Sequence, residues 1–138
     1  MDEKDEKIIS ILMKNARIPK TKIAEELNVT ETAIRKRISK LERSKVILGY
    51  KAVINYKTAG LSASLTGVDV EPDRLWEVIG KLKDIEEIKS IYLTTGDHML
   101  MLEIVGKSVD ELSEIHERIS KLEGVKRICP AVILEVLK

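Results

Sequence analysis

Apolar and polar positions divide the chain into a helical first part and a mixed second part. In the first part, apolar residues recur at the three- and four-residue spacing of an amphipathic helix. This spacing predicts helices over residues 2–14, 20–27 and 31–45. Their inward stripes are Ile8, Ile9, Leu12 and Ala16, then Ile23, Ala24 and Leu27, and then Ile34, Ile38 and Leu41.

The junction between the second and third predicted helices carries turn and cap residues. Asn28 tolerates the left-handed backbone conformation that ends a helix, and Thr30 offers a hydroxyl group that can cap the next one. Two short helices joined by residues 27–29 have helix-turn-helix spacing. The second helix of such a motif can enter the major groove of DNA with its N-terminal end.

The distribution of charge favours a nucleic-acid partner for this helical part, although the net charge of the whole chain is only +1. Residues 1–56 hold 13 Lys and Arg against 8 Asp and Glu, whereas residues 57–138 hold 11 against 15. One half therefore carries +5 and the other −4, which indicates that only the first half meets a polyanion.

The third predicted helix carries its polar and basic residues opposite the apolar stripe. We expect Thr32, Arg35, Lys36 and Ser39 to reach base edges, with Thr30 at the start of the helix beside them. Phosphate contacts are expected from Lys20, Lys22, Lys40 and Arg43. The alternative is a solvated basic face with no partner; the turn, the cap and the segregated charge favour DNA.

The second part alternates strand and helix patterns. Residues 46–55 predict a strand and residues 56–60 a hinge. Further on, the pattern predicts strands over residues 62–70, 88–94, 99–105 and 125–137 and helices over 72–83 and 108–122. Trp76 is expected to be a half-buried helix residue or an interface anchor, and His116 a packed or half-exposed one.

From residue 62 onward, this order is β-α-β-β-α-β, the ferredoxin-like arrangement. The predicted fold class is α+β: a winged-helix-like helix-turn-helix domain over residues 1–46, a strand and hinge over 47–60, and a ferredoxin-like domain over 61–138. Such a sheet has helices on one face only, so a second subunit is expected to cover the other face. A homodimer also suits symmetric DNA half-sites.

Several kinds of site are not expected from this composition. The single cysteine, Cys129, excludes an intramolecular disulfide and a cysteine-rich zinc site. No apolar run is long enough to span a bilayer, and the charged start does not suit a secretory signal. We therefore expect a cytoplasmic protein with no metal and no cofactor.

At this point the whole chain resembles the Lrp/AsnC (leucine-responsive regulator, or feast/famine) family. The resemblance rests on the combination Arg17, Ile23-Ala24, Ile34, Arg37, Ile38, Leu41-Glu42, Val46-Ile47 and Gly49-Tyr50, and on the later segment IYLTTGDHMLMLEI. It implies a DNA-binding transcriptional regulator that dimerises through its C-terminal domain and commonly assembles further into octamers.

The resemblance also implies an effector site for an amino acid or a related metabolite near the turn between two strands. The matching residues here are Thr95, Gly96, Asp97, His98 and Met99. Met99 stands where the family often has a second acid, so a partner for an effector's ammonium group is missing from the turn. Lys45 stands where the family usually has glycine, and Lys22 where an acid is common.

Two other functions stay open beside a sequence-specific regulator. One is an architectural DNA-coating protein with low sequence preference. The other is an enzyme, because some haem-pathway decarboxylases that act on sirohaem-type tetrapyrroles resemble this family. Acid–base chemistry needs convergent side chains in a pocket. The sequence offers two histidines and no such set, so we do not expect an enzyme.

Overall fold

The computed structural model describes residues 1–138 and divides into two compact units, residues 1–52 and 53–138. The predicted α+β class and the order β-α-β-β-α-β are confirmed. The segment limits predicted from the sequence, at residues 1–46, 47–60 and 61–138, stay predictions. None of the helices has the length and the apolar character that crossing a membrane requires.

The first unit consists of three helices: α1 (Glu3–Lys14), α2 (Lys20–Leu27) and α3 (Glu31–Arg43). Side-chain caps fix the starts of two of them. The Asp2 carboxylate accepts from the backbone N–H of Asp5, and the Thr30 hydroxyl oxygen accepts from that of Ala33 at 3.1 Å. Such caps satisfy N–H groups that have no partner inside the helix.

An aliphatic core joins the three helices. Each helix contributes buried residues, which are Ile8, Ile23, Ala24, Ile34, Ile38 and Leu41. All six belong to the stripes predicted from the spacing of apolar residues. The buried residues of α3 lie on one stripe, and its opposite side is left exposed.

The strand predicted over residues 46–55 is wrong. These residues form no strand, because an alternating pattern becomes a strand only where a neighbouring strand accepts its hydrogen bonds. Instead the chain turns back after α3: the N–H groups of Val46 and Ile47 both donate to the carbonyl of Leu41. Ile47 then packs against the core of the first unit.

The second unit contains a short helix α4 (Tyr56–Ala59), strand β1 (Ser62–Val70), a 3-10 turn (Pro72–Arg74) and helix α5 (Leu75–Lys83), followed by β2 (Ile88–Leu93), β3 (Leu100–Gly106), α6 (Val109–Ser120) and β4 (Val125–Val132). Residues 56–59 are thus helical within the segment predicted as a hinge. The last strand ends at Val132 rather than at residue 137.

The four strands form one antiparallel sheet in the order β2-β3-β1-β4. Even-numbered residues of β1 and β3 point toward α5 and α6 and build the core, including Val68, Leu102 and Ile104. Odd-numbered residues point to the other side, which we call the open face. On that face, Leu65 of β1 is 48% exposed, and Tyr92 of β2, which pairs with Met101 of β3, is 59% exposed.

A buried polar cluster interrupts the helix-covered face of the sheet. The Nε2 atom of His116 on α6 lies 2.8 Å from the Thr66 hydroxyl and 3.1 Å from that of Ser64. His116 is therefore packed, as predicted. Trp76 is 72% exposed, because it lies on the outer side of α5, so the half-buried alternative is wrong. The alternative of an interface anchor stays a prediction.

Candidate functional site

The turn between α2 and α3 has the geometry that the sequence predicts. Asn28 adopts the left-handed conformation with φ 54°. Its N–H and that of Val29 donate to the carbonyls of Glu25 and Ala24. These two bonds close the end of α2, and Thr30 then opens α3. The backbone itself therefore sets the direction of α3 relative to α2.

Five residues predicted to contact DNA lie together on the outer face of α3. They line one shallow surface depression, and all of them are exposed: Arg35, Lys36, Ser39, Lys40 and Arg43. We call this group the α3 face. Thr32 is also exposed, in the first turn of the same helix. Four cations in an unobstructed surface suit a partner with closely spaced negative charges.

The three other residues predicted to contact DNA lie elsewhere. The Thr30 oxygen is engaged in the α3 cap, so its structural role is established by the geometry. Lys22 is exposed on α2. Lys20 lines a separate cavity with Glu42 and Tyr50, and it does not join the α3 face.

Arg37 shows how a basic residue on α3 can be structural rather than functional. Its Nη1 atom lies 2.7 Å from an Asp2 carboxylate oxygen and 3.1 Å from an Asp5 oxygen. The hydrogen bond from Arg37 is the main cause that lowers the pKa of Asp2 to about 2. The same pairing raises the pKa of Arg37. This arginine therefore ties α3 to α1.

Lys45 occupies a position that favours glycine. The N–H of Val46 donates to the carbonyl of Leu41 and that of Lys45 to Glu42, which is the Schellman arrangement of a helix end. This arrangement needs a left-handed residue, and Lys45 has φ 64°. The exit from α3 is thus a regular one, formed here at a conformational cost.

The second candidate site is the turn between β2 and β3. The N–H of Thr94 donates to the carbonyl of Met99 at 2.9 Å, and its hydroxyl donates to that of His98. Gly96 has φ 98°, a region open mainly to glycine. Thr95, Gly96 and Asp97 are exposed at the tip, whereas His98 and Met99 are half-buried at the base.

Asp69 on β1 organises the base of this turn, a role that was not predicted from the sequence. One carboxylate oxygen accepts from the N–H of Met99 at 3.3 Å. The other lies 3.2 Å from Nδ1 of His98 and 3.1 Å from Nε of Arg127 on β4. Residues distant in the chain therefore meet at one carboxylate.

The surroundings of Asp69 keep it charged. Burial by itself would raise the pKa of Asp69, but the hydrogen bonds from His98, Met99 and Arg127 outweigh it and lower the pKa. The His98 ring covers Gly67, where a Cβ atom would overlap it. The feature of the sequence that could have indicated this role of Asp69 is an acidic residue in a strand of small and apolar residues, on the same face as Gly67.

Two family models match this chain. The AsnC-type helix-turn-helix domain matches residues 1–42, and the Lrp/AsnC ligand binding domain matches residues 64–138. The first range contains every residue of the α3 face except Arg43. The second contains the turn between β2 and β3 and Asp69.

Named relatives are similar over the whole chain. The HTH-type transcriptional regulator LrpA of Pyrococcus horikoshii is 46% identical over 140 residues, which cover 100% of this chain and 99% of that protein. The leucine response regulatory protein LrpA of Mycobacterium tuberculosis is 25% identical with a TM-score of 0.79, covering 100% and 95%.

A third similar protein supports the fold alone. The transcriptional regulator NMB0573 of Neisseria meningitidis, solved as a complex with L-Met, is 19% identical with a TM-score of 0.73. The alignment covers 100% of this chain and 92% of that one.

Proposed function

Because the chain belongs to the Lrp/AsnC family and is a DNA-binding transcriptional regulator, we propose that it recognises a specific operator in the cytoplasm through the α3 face. The observation that carries this proposal is the grouping of Arg35, Lys36, Ser39, Lys40 and Arg43 on one exposed face. Thr32, Arg35, Lys36 and Ser39 are proposed to contact bases, and Lys40 and Arg43 phosphates. Lys22, Lys20 and Thr30 are proposed to add contacts to the sugar–phosphate backbone.

Binding to two duplexes tests this proposal. Fluorescence anisotropy would compare the DNA upstream of the protein's own gene with a scrambled duplex across a salt series. A steep salt dependence and a large preference for the natural duplex are expected of a specific regulator. Equal binding to both would favour the architectural alternative or another operator, which selection from a random duplex library would then identify.

We further propose that the turn over residues 95–99 binds an amino acid or a related small molecule. Its exposed tip offers backbone N–H groups around Gly96 and the carboxylate of Asp97. The Asp69–Arg127 pair adds charges of both signs at its base. A zwitterion needs partners of both signs. The turn has no acid at position 99, and the carboxylate of Asp69 on β1 lies close enough to supply that negative charge.

Calorimetric titration with individual amino acids, L-methionine among them, tests the effector site. Asp97→Ala and His98→Ala should weaken binding of the amino acid that the wild-type protein binds, and should change its effect on oligomer size. Asp110→Ala is the matched control, because Asp110 is an exposed acid in the first turn of α6. Unchanged binding and oligomer size in both turn variants would disprove this site.

We also propose that the protein forms a homodimer through the open face and that dimers assemble further, up to an octamer. Helices cover one side of the sheet only, and Leu65 and Tyr92 lie exposed on the other. Val53, Leu134 and Leu137 line the same groove as Leu65 and add exposed apolar surface. Apolar surface of this kind gains free energy when a second subunit covers it.

Sedimentation velocity tests the assembly. Leu65→Glu places a charge on the open face and should shift the protein toward monomers. Val109→Glu is the control, because Val109 is 68% exposed at the start of α6, away from the open face. If both variants sediment like the wild-type protein, the open face is not the interface.

A further inference from the structure

Arg35 differs from the other cations of the α3 face by its partner. Its Nη2 and Nε atoms lie 2.6 and 3.0 Å from the same carboxylate oxygen of Glu31, one helical turn earlier. Lys36, Lys40 and Arg43 make no such salt bridge. A carboxylate is therefore built into the surface that we propose meets DNA.

This pair contributes little to stability. The two side chains are 39% and 63% exposed for Glu31 and Arg35, and an exposed pair four residues apart is weak. A glutamate also suits the first turn of a helix because of the helix dipole, but an acid elsewhere in that first turn, away from Arg35, would serve the same purpose. The pair is thus free to exchange its hydrogen bonds for others when α3 meets a ligand.

On DNA of arbitrary sequence, Glu31 is unfavourable for binding. The phosphates repel its carboxylate, and the hydrogen bonds to Glu31 compete with those that Arg35 could make to a phosphate. Both effects lower the affinity for non-specific DNA. The presence of Glu31 on an otherwise basic face therefore needs a compensating contact.

Base edges in the major groove can supply that contact. Guanine presents two acceptors, O6 and N7, which suit the guanidinium group of Arg35, and cytosine presents the N4 amino donor, which suits a carboxylate. The two side chains lie on adjacent turns at the N-terminal end of α3, the end that enters the groove in this class of motif. A G·C base pair offers both partners at once.

We propose that Glu31 is a specificity-determining residue which, together with Arg35, selects a G·C base pair and penalises other sequences. This inference rests on the proposed function of the α3 face. It goes beyond that function because it assigns selectivity to an acidic residue and names the base pair that the residue selects.

The test uses the full-length protein and the duplex that the wild-type protein selects from a random library. Glu31→Gln should bind a scrambled duplex more tightly and the selected duplex by a smaller factor, so the ratio of the two affinities should fall about tenfold. Repeating the selection with Glu31→Gln should relax the preference at one G·C position, and Arg35→Ala should relax it at the same position.

Glu26→Gln is the matched control, since it removes the same charge from an exposed position on α2. If Glu26→Gln and Glu31→Gln change both affinities alike, the effect is one of net charge and the inference is wrong. An unchanged G·C preference in Glu31→Gln would also overturn it while leaving the proposed function intact. If the wild-type protein itself has no sequence preference, the proposed function fails and the inference fails with it.

Discussion

The two units of this protein use polar residues in opposite ways. The first unit has a core of aliphatic residues only and keeps its polar groups outside, where the α3 face is exposed. The second unit buries Ser64 and Thr66 against His116 and ties its turn together through Asp69. Changes to the α3 face should therefore alter binding alone, whereas changes to the buried polar groups of the second unit should also alter stability.

The largest effect is expected in the core of the second unit. Leu102 is 1% exposed between the sheet and its helices, so Leu102→Ala should lower the free energy of unfolding by about 2–5 kcal/mol. Met101→Ala, on the open face of the same strand, should cost less in a dilute sample where monomers predominate. Urea unfolding measures both, and equal losses would contradict the one-sided core.

In the first unit, a surface change should act on DNA alone. Lys36→Ala should weaken binding to the selected duplex by about 1–3 kcal/mol if Lys36 contacts a base, with unchanged urea unfolding. Lys83→Ala is the control of equal charge, at an exposed position on α5. A uniform loss on all sequences would reassign Lys36 to a phosphate, and no loss would remove it from the interface.

Acid should weaken the two units in different pH ranges. Burial lowers the pKa of His116 in the folded protein, so the unfolded chain binds a proton more readily and stability falls as the pH drops below about 6.5. The pKa of Asp2 is lowered to about 2. The stability that Asp2 contributes is therefore complete above about pH 4 and is lost as the pH falls toward 2.

Thermal unfolding from pH 8 to pH 2 measures this difference. His116→Gln should flatten the loss between pH 7 and 5 and leave the loss below pH 4 unchanged, and Asp2→Asn should do the reverse. Asn keeps a capping side chain at the start of α1, so this variant removes the charge and the ion pair with Arg37 but retains the cap. If His116→Gln leaves the pH profile unaltered, the protonation of His116 does not contribute to the pH dependence of stability.

The smallest effect is expected at the end of α3. Because Lys45 adopts a left-handed conformation, Lys45→Gly should raise the free energy of unfolding by about 0.5–1 kcal/mol. Asn28→Gly is the comparison, since asparagine already tolerates its φ of 54° and should gain less. Chemical denaturation of both variants measures the difference, and a loss of stability in Lys45→Gly would contradict the strain.

Local patterns in the sequence were sufficient for most of the helices and strands. The spacing of Ile34, Ile38 and Leu41 predicted the buried side of α3, and therefore its exposed side. Asn28 and Thr30 predicted the turn that orients it. These features depend on residues within one or two helical turns of each other, so the sequence alone determines them, and it also determines the family.

Tertiary structure decided whatever depends on a distant partner. Residues 46–55 alternate like a strand but have no neighbouring strand, and they form none. The role of Asp69 follows from His98 and Arg127, which lie 29 and 58 positions away. The functions of Arg35 and Arg37 differ for the same reason: one pairs within its own helix and the other with α1. Spacing along the chain indicates which side of an element a residue occupies, but only the packed chain brings a particular charge within hydrogen-bond distance of another.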